Sequence, residues 1–221
     1  MSLRITALSP FICATPRAIV EQISIVESGL VVLPGWRRNG PSLVDLQQAL
    51  QTGVTLFAEL GPSIQRRKAY LVTCEANTQI PDQVFAERPS LSALSKLAGR
   101  LPERTIKLGS HRVVFFLCGE IHAFDANGTP KADVELPFEV LINPAHSMMG
   151  RWRVLGQKLE ALSRGRVVVH VANNYGNNHR VSTDVRIYAD GKQVGERIAN
   201  GYVTWSTFEV VNRRRSSLRG Y

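Results

Sequence analysis

No apolar run in this 221-residue chain approaches the roughly 18 residues needed to span a bilayer, which excludes a membrane-spanning helix. Cysteine is scarce. Cys13, Cys74 and Cys118 leave one thiol unpaired in any disulfide scheme, and their wide spacing matches no metal-ligand motif, so reduced thiols and no metal are expected. The chain lacks GxxxxGK[ST] and has no GxGxxG after a strand, which removes support for a bound nucleotide and implies no cofactor. A GxSxG elbow is missing as well. There is no internal repeat and no low-complexity linker. Arg4, Pro10, Pro16, Arg17 and Glu21 break up the N-terminus, which therefore lacks the apolar core of a signal peptide, and a cytoplasmic location is the expectation.

Acid is also in short supply. Lys and Arg number 27 against 18 Asp and Glu, a formal charge of +9, and much of the excess lies in the last ten residues, NRRRSSLRGY. Arg213, Arg214, Arg215 and Arg219 give an electrostatic footprint without interleaved aromatics or a recognised motif. A solvated basic tail over 212–221 is expected, with nucleic-acid binding ranked below it. The remaining 1–211 has an ordinary globular composition, 44% hydrophobic and 20% charged overall, and reads as one domain.

What is present is an alternation of short apolar strands and amphipathic helices. Ile5–Leu8, Leu30–Leu33, Val54–Leu60 and Ala69–Cys74 read as strands, and Thr15-Pro16 and Ser42 as helix starts. Leu91, Leu94 and Leu97 predict a short helix. Gly109-Ser110 predicts a hairpin turn between Thr105–Leu108 and Arg112–Leu117. Further on, Phe138–Ile142 predicts a strand, Asn143–His146 a loop, Trp152–Leu162 a helix and Arg166–Ala172 a strand. A closing hairpin turns at Asp190-Gly191, and Tyr202–Val211 is strand or tail. This order predicts a mixed α/β layered domain.

Within that order one strand stands out. RVVFFL runs into Cys118, Gly119 and Glu120, which places a thiol at the C-terminal edge of an apolar strand. The crevice beyond the carboxyl ends of strands is where α/β proteins handle ligands. A cysteine there, followed by a glycine that lets another group approach, is a candidate nucleophile; a buried structural thiol is the competing reading.

The order of motifs resembles the nitrilase, or carbon–nitrogen hydrolase, superfamily. Leu30-Val-Val-Leu-Pro34 is similar to the strand leading to that family's catalytic glutamate, and Phe116-Leu-Cys118-Gly-Glu120 to its nucleophile strand. Asn143-Pro-Ala-His146, the Trp152 helix and VVVHVANNYG (Val167–Gly176) follow in the family's order, and Asp190-Gly191 matches its closing turn. The resemblance implies an α-β-β-α sandwich with two mixed central sheets and a Glu-Lys-Cys site acting on a small-molecule amide or nitrile. It also implies a homodimer or higher homo-oligomer.

Only the cysteine transfers directly. Gly35 stands where the resemblance puts the general base, Trp36 follows it, and neither takes a proton. No lysine is in register; Arg88 is the nearest match, with Lys96 and Lys107 further off. Candidate carboxylates are Glu59 at the end of VTLFAEL, Glu103 before the hairpin and Glu87 beside Arg88, with which it could simply pair; each of the three has a solvated surface charge as its alternative, and Glu120 stands two residues after the thiol. His146 offers another route, because a Cys–His pair restores base function without a carboxylate at Gly35; a loop histidine bonded to backbone is the competing reading and the commoner one. His122 competes for that role, and His170 among valines reads as a strand histidine. Two functional readings stay open: a diverged thiol-dependent C–N hydrolase, and a catalytically inactive binding or scaffold protein on the same fold.

Overall fold

The computed structural model describes residues 2–146, 152–173 and 184–211. Thirteen strands form two sheets. The first sheet has the order β12-β13-β1-β2-β3-β4-β5. Its strands are β1 (Leu3–Pro10), β2 (Gly29–Val32), β3 (Val54–Leu60), β4 (Lys68–Val72), β5 (Asn77–Ile80), β12 (Arg197–Ala199) and β13 (Val203–Val210). The second has the order β11-β10-β9-β8-β7-β6. It is built from β6 (Thr105–Leu108), β7 (His111–Phe115), β8 (Val140–Ala145), β9 (Val167–Ala172), β10 (Asp184–Ala189) and β11 (Lys192–Val194). Both sheets are mixed: β1-β2-β3 and β7-β8-β9 run parallel, and the flanking strands pair antiparallel.

Three apolar layers hold this together. Between the sheets, Ile5, Leu30, Val32 and Phe57 meet Val113, Phe115, Ile142 and Val169, with the Phe57 and Phe115 rings stacked 5.0 Å apart. Helices α1 (Pro16–Ser24) and α2 (Leu43–Ala49) cover the outer face of the first sheet through Ile19, Ile23 and Leu46. Helices α3 (Leu91–Arg100) and α4 (Trp152–Leu162) cover the second through Leu94, Leu97 and Leu159. The result is the expected α-β-β-α sandwich. Each parallel strand is buried on both faces, which is why LVV and VVVHVA carry no polar alternation.

Local chemistry sets the helix starts. Thr15 and Ser42 accept from the amides of Ala18 and Asp45, and Ser42 with Asp45 forms a reciprocal capping box. Gly109, at φ 60°, provides the hairpin turn between β6 and β7. Residues 193–198 do not form one strand: Gly195, at φ 80°, separates β11 from β12 and passes the chain from one sheet to the other.

One element differs from the sequence reading in a way that matters below. Asn143–Ala145 is not loop but the end of β8, paired residue by residue with β9 through Asn143↔His170, Pro144↔Val171 and Ala145↔Ala172. A proline sits inside a strand because on its other side β7 has already left the ladder. The 174–176 part of the VVVHVANNYG motif and the basic tail at 212–221 lie outside the described residues.

Candidate active site

The site forms where strand ends of the two sheets converge. From the second sheet, β7 ends at Phe115 and runs through Leu117 into a 3-10 turn, Cys118–Ala123. Cys118 is held at φ 42°, a left-handed conformation that a β-carbon disfavours. Gly119 follows because the chain behind it is crowded: a Cβ there would run into the backbone carbonyl of Ala86. The thiol is half-buried and packs with Ala145, Ala172 and Leu155.

From the first sheet, β3 delivers Glu59 at its C-terminal edge. The carboxylate is almost wholly buried and gathers its partners on one oxygen. Glu59 Oε2 accepts from the amide of Trp36 at 3.0 Å, from Arg67 Nε at 3.1 Å and from His146 Nε2 at 2.6 Å. Burial pushes its pKa up, but the His146 hydrogen bond and charge, the Trp36 amide and Arg67 outweigh that and hold it below its ordinary value.

His146 follows β8 and joins the two sides, because its ring hydrogen-bonds Glu59 and lies close enough to the Cys118 side chain for the two to affect each other's charge. Burial lowers its pKa, yet the bonds and charges of Cys118 and Glu59 prevail and raise it to about 9. The ring occupies the space in front of Gly35. A Cβ built at Gly35 would lie 2.6 Å from His146 Cδ2 and 2.9 Å from Nε2, and Gly35 N–H donates to Ala145 O at 3.0 Å. A side chain on residue 35 and a histidine ring at 146 therefore exclude each other.

Three other candidates are placed elsewhere. Glu120 turns away into a buried structural role: its oxygens accept from the amides of Val84 and Leu117 and from Arg104 Nη1 at 2.5 Å. Both partners of that ion pair are fully buried, and burial dominates in pushing the Glu120 pKa up. Its spacing from Cys118 misled because a 3-10 turn sends residues 118 and 120 in different directions. Glu103 and Arg88 are exposed, as are Lys96 and Lys107. The cation beside the site is Arg67, which the sequence reading did not single out. Its signal was hairpin register: β3 and β4 pair Glu59 with Ala69, so residue 67 returns beside residue 59. Arg67 is fixed further by Gln83 Oε1 at 2.6 Å and by the Ile64 carbonyl.

A cavity of about 310 Å³ adjoins the carboxylate, walled by Leu33, Gly35, Trp36, Glu59, Leu60 and Asn173. Trp36 Nε1 donates to Gly61 O at 2.7 Å and Asn173 Nδ2 to Gly35 O at 2.6 Å, which fixes two sides of it. Among the described residues no group of three His, Cys, Asp or Glu is arranged to hold a metal ion.

Neither the protein-family models nor the curated proteins contain a match to this chain. Solved structures do. A CN-hydrolase superfamily protein from Xanthomonas campestris, XC1258, with an arsenic adduct in its active site, superposes with a TM-score of 0.61 at 13% identity, covering 96% of this chain and 91% of that one. The chain has the CN-hydrolase fold. An amidase from Nesterenkonia sp. AN1, carrying the acetamide moiety of fluoroacetamide on its active-site cysteine, gives 0.57 at 15% identity over 93% and 90%. Another form of that amidase, in complex with butyramide, gives 0.56 at 15% identity over the same shares. On this CN-hydrolase fold the thiol, the histidine and the carboxylate described above sit at converging strand ends.

Proposed function

We propose that the protein is a thiol-dependent hydrolase of a small amide or related C–N bond, with Cys118 as nucleophile, His146 as general base and acid, and Glu59 holding the ring. The observation that carries this reading is His146 hydrogen-bonded to Glu59 and set beside Cys118, in the space that Gly35 leaves open. The fold's similarity to amidases with an active-site cysteine supports the substrate class.

The chemistry runs as for other nucleophile–base–carboxylate sets. Glu59 accepts a hydrogen bond from His146 Nε2–H, and with its pKa raised to about 9 the ring is charged at neutral pH. The proton that Cys118 gives up is held on that ring as sulfur bonds to the carbonyl carbon and the C=O pair moves onto oxygen. The amide of Gly119, next in the chain, supplies a donor for the oxyanion. His146 then returns the proton to the departing amine as the C–N bond breaks. A water, deprotonated by the same ring, cleaves the thioester and regenerates the thiol. Arg67 acts through Glu59, keeping it ionised as the ring becomes charged.

An arginine locked to a carboxylate does not replace a lysine aimed at the oxyanion, and one donor of that kind is worth about 2.7–4 kcal/mol in the transition state. Turnover is therefore expected to be confined to activated substrates, anilides and esters ahead of plain amides and nitriles. The test is an amide, ester, nitrile and N-carbamoyl panel run on the wild type beside Cys118→Ala, His146→Ala and Glu59→Gln. Hydrolysis lost in the first variant and reduced about 10²–10⁴-fold in the second is the expected result. An inert panel with Cys118 unreactive toward iodoacetamide would favour the binding-protein reading instead.

A further inference from the structure

Phe116 is where the nucleophile strand leaves its sheet. Its N–H still donates to Ile142 O at 2.9 Å, in step with the parallel pairing of Phe115 with Ile142. The ladder would next offer the Phe116 carbonyl the amide of residue 144. That residue is Pro144, which has no N–H to give. The side chain of the preceding residue fills the gap. Asn143 Nδ2 donates to Phe116 O at 2.6 Å and to Cys118 O at 2.9 Å, so one buried amide joins the last strand carbonyl to the carbonyl of the thiol-bearing residue. The amide is itself oriented from behind: on β9, buried His170 donates from Nδ1 to Asn143 Oδ1 at 2.8 Å. Burial, with Arg186 adding to it, lowers the His170 pKa to about 3, so the ring is neutral and keeps a single directed donor.

We propose that Asn143 is a positioning residue for Cys118, closing the turn across Leu117 so that the thiol stays at its left-handed φ facing His146, and that His170 sets the direction of that amide. The catalytic meaning of this assignment rests on Cys118 being the nucleophile; the positioning itself does not. Pro144 and Asn143 act together, because the proline removes the backbone donor that would prolong β7 and the asparagine supplies one that bends it. His170 is the relay between β9 and the turn, and it touches neither substrate nor thiol.

Two readouts test this in the full chain: the iodoacetamide rate of each cysteine, and amide hydrogen exchange across 117–120. In Asn143→Ala, loss of the paired hydrogen bonds is expected to slow Cys118 alkylation about tenfold or more and to speed exchange across the turn by a similar factor. Cys13, Cys74 and the β9 amides should hold their wild-type rates. Asn143→Asp keeps the size but offers an acceptor toward two carbonyls, and it should match Asn143→Ala should that variant fail to fold. His170→Gln can still donate to Asn143 Oδ1 and should stay within about threefold of wild type, whereas His170→Leu should follow Asn143→Ala. A folded Asn143 variant with wild-type alkylation and exchange overturns the proposal, as does a His170→Gln variant as damaged as His170→Leu. Wild-type Cys118 alkylating no faster than Cys74 would overturn the hydrolase reading alone, and exchange at 117–120 would then decide the positioning role.

Discussion

Gly35 and His146 are the pair on which the proposed chemistry turns. Gly35 does not need its conformational freedom, since its φ is not in the left-handed region; it is needed for the volume it leaves. Gly35→Ala would press on both the ring and the backbone N of His146. It should push the imidazole off the thiol, lowering kcat/KM by about 10²-fold or more, the scale of a lost general base. Steady-state kinetics on that variant check this, and a Gly35→Ala enzyme as fast as wild type would separate the histidine from catalysis. The raised His146 pKa adds a second expectation. Imidazolium is needed to protonate the leaving amine, so the rate should fall on the alkaline side near pH 9 in a kcat/KM profile, which reports the free enzyme. Glu59→Gln should move that limb to lower pH. At this scale the sequence was partly legible: Cys118, Glu59 and His146, which the structure brings together, could each be singled out from strand ends and residue chemistry. That Gly35 makes room for His146 could not, because the two meet across separate strand ends and only three-dimensional packing brings them together.

At the scale of elements, the turn after β7 depends on a buried anchor. Glu120 takes two amides and Arg104, and Arg104 also reaches the Asp82 carbonyl, so the 81–90 segment is tied to the turn that carries Cys118. Ala86 closes the same contact against Gly119. Glu120→Ala would strand a fully buried guanidinium and is expected to cost about 3–5 kcal/mol of stability, read from urea unfolding. A solvated catalytic acid at that position would instead leave stability nearly unchanged and remove activity. Helices and hairpins were legible here through caps, periodicity and the Gly109 turn. The end of β8 was not, since a proline ordinarily argues against strand. The deciding fact is the departure of the neighbouring strand, which no local pattern in residues 138–146 records.

For the whole molecule, the order of apolar strands and helix faces was enough to indicate a layered sandwich, because burial on both faces of the parallel strands is written as continuous runs. The late crossing was not readable: Gly195 ends β11, and β12 and β13 then join the first sheet beside β1. That return stacks β10 near β1, where the Asp184 amide donates to Ser9 Oγ at 3.3 Å and Ser9 Oγ donates to Ala172 O at 2.6 Å. It also buries the Asp184 carboxylate, which burial raises to about 6 against the pull of Arg186 and Arg197. The global pH dependence follows from such groups by linkage. Asp184 has a folded pKa above its ordinary one, so its contribution is full below about 4 and lost as pH rises through about 6. His146 is also raised, so its contribution is full below 6.5 and lost as pH climbs through about 9. Glu59 is lowered and acts the other way, contributing above 4.5 and losing that as pH falls through its folded pKa. Buried His170, lowered to about 3, works against Asp184: its contribution grows from about pH 3 to 6.5 while that of Asp184 fades. The two offset each other across about pH 4–6, which leaves the loss at His146 above 6.5 as the decline to follow. Urea unfolding from pH 4 to 8 should trace it. Asp184→Asn should gain stability relative to wild type as pH rises from 4 to 7.5, while His146→Gln should remove the decline above 6.5. A wild-type profile flat between pH 6.5 and pH 8 would mean that His146 does not titrate within the folded sandwich.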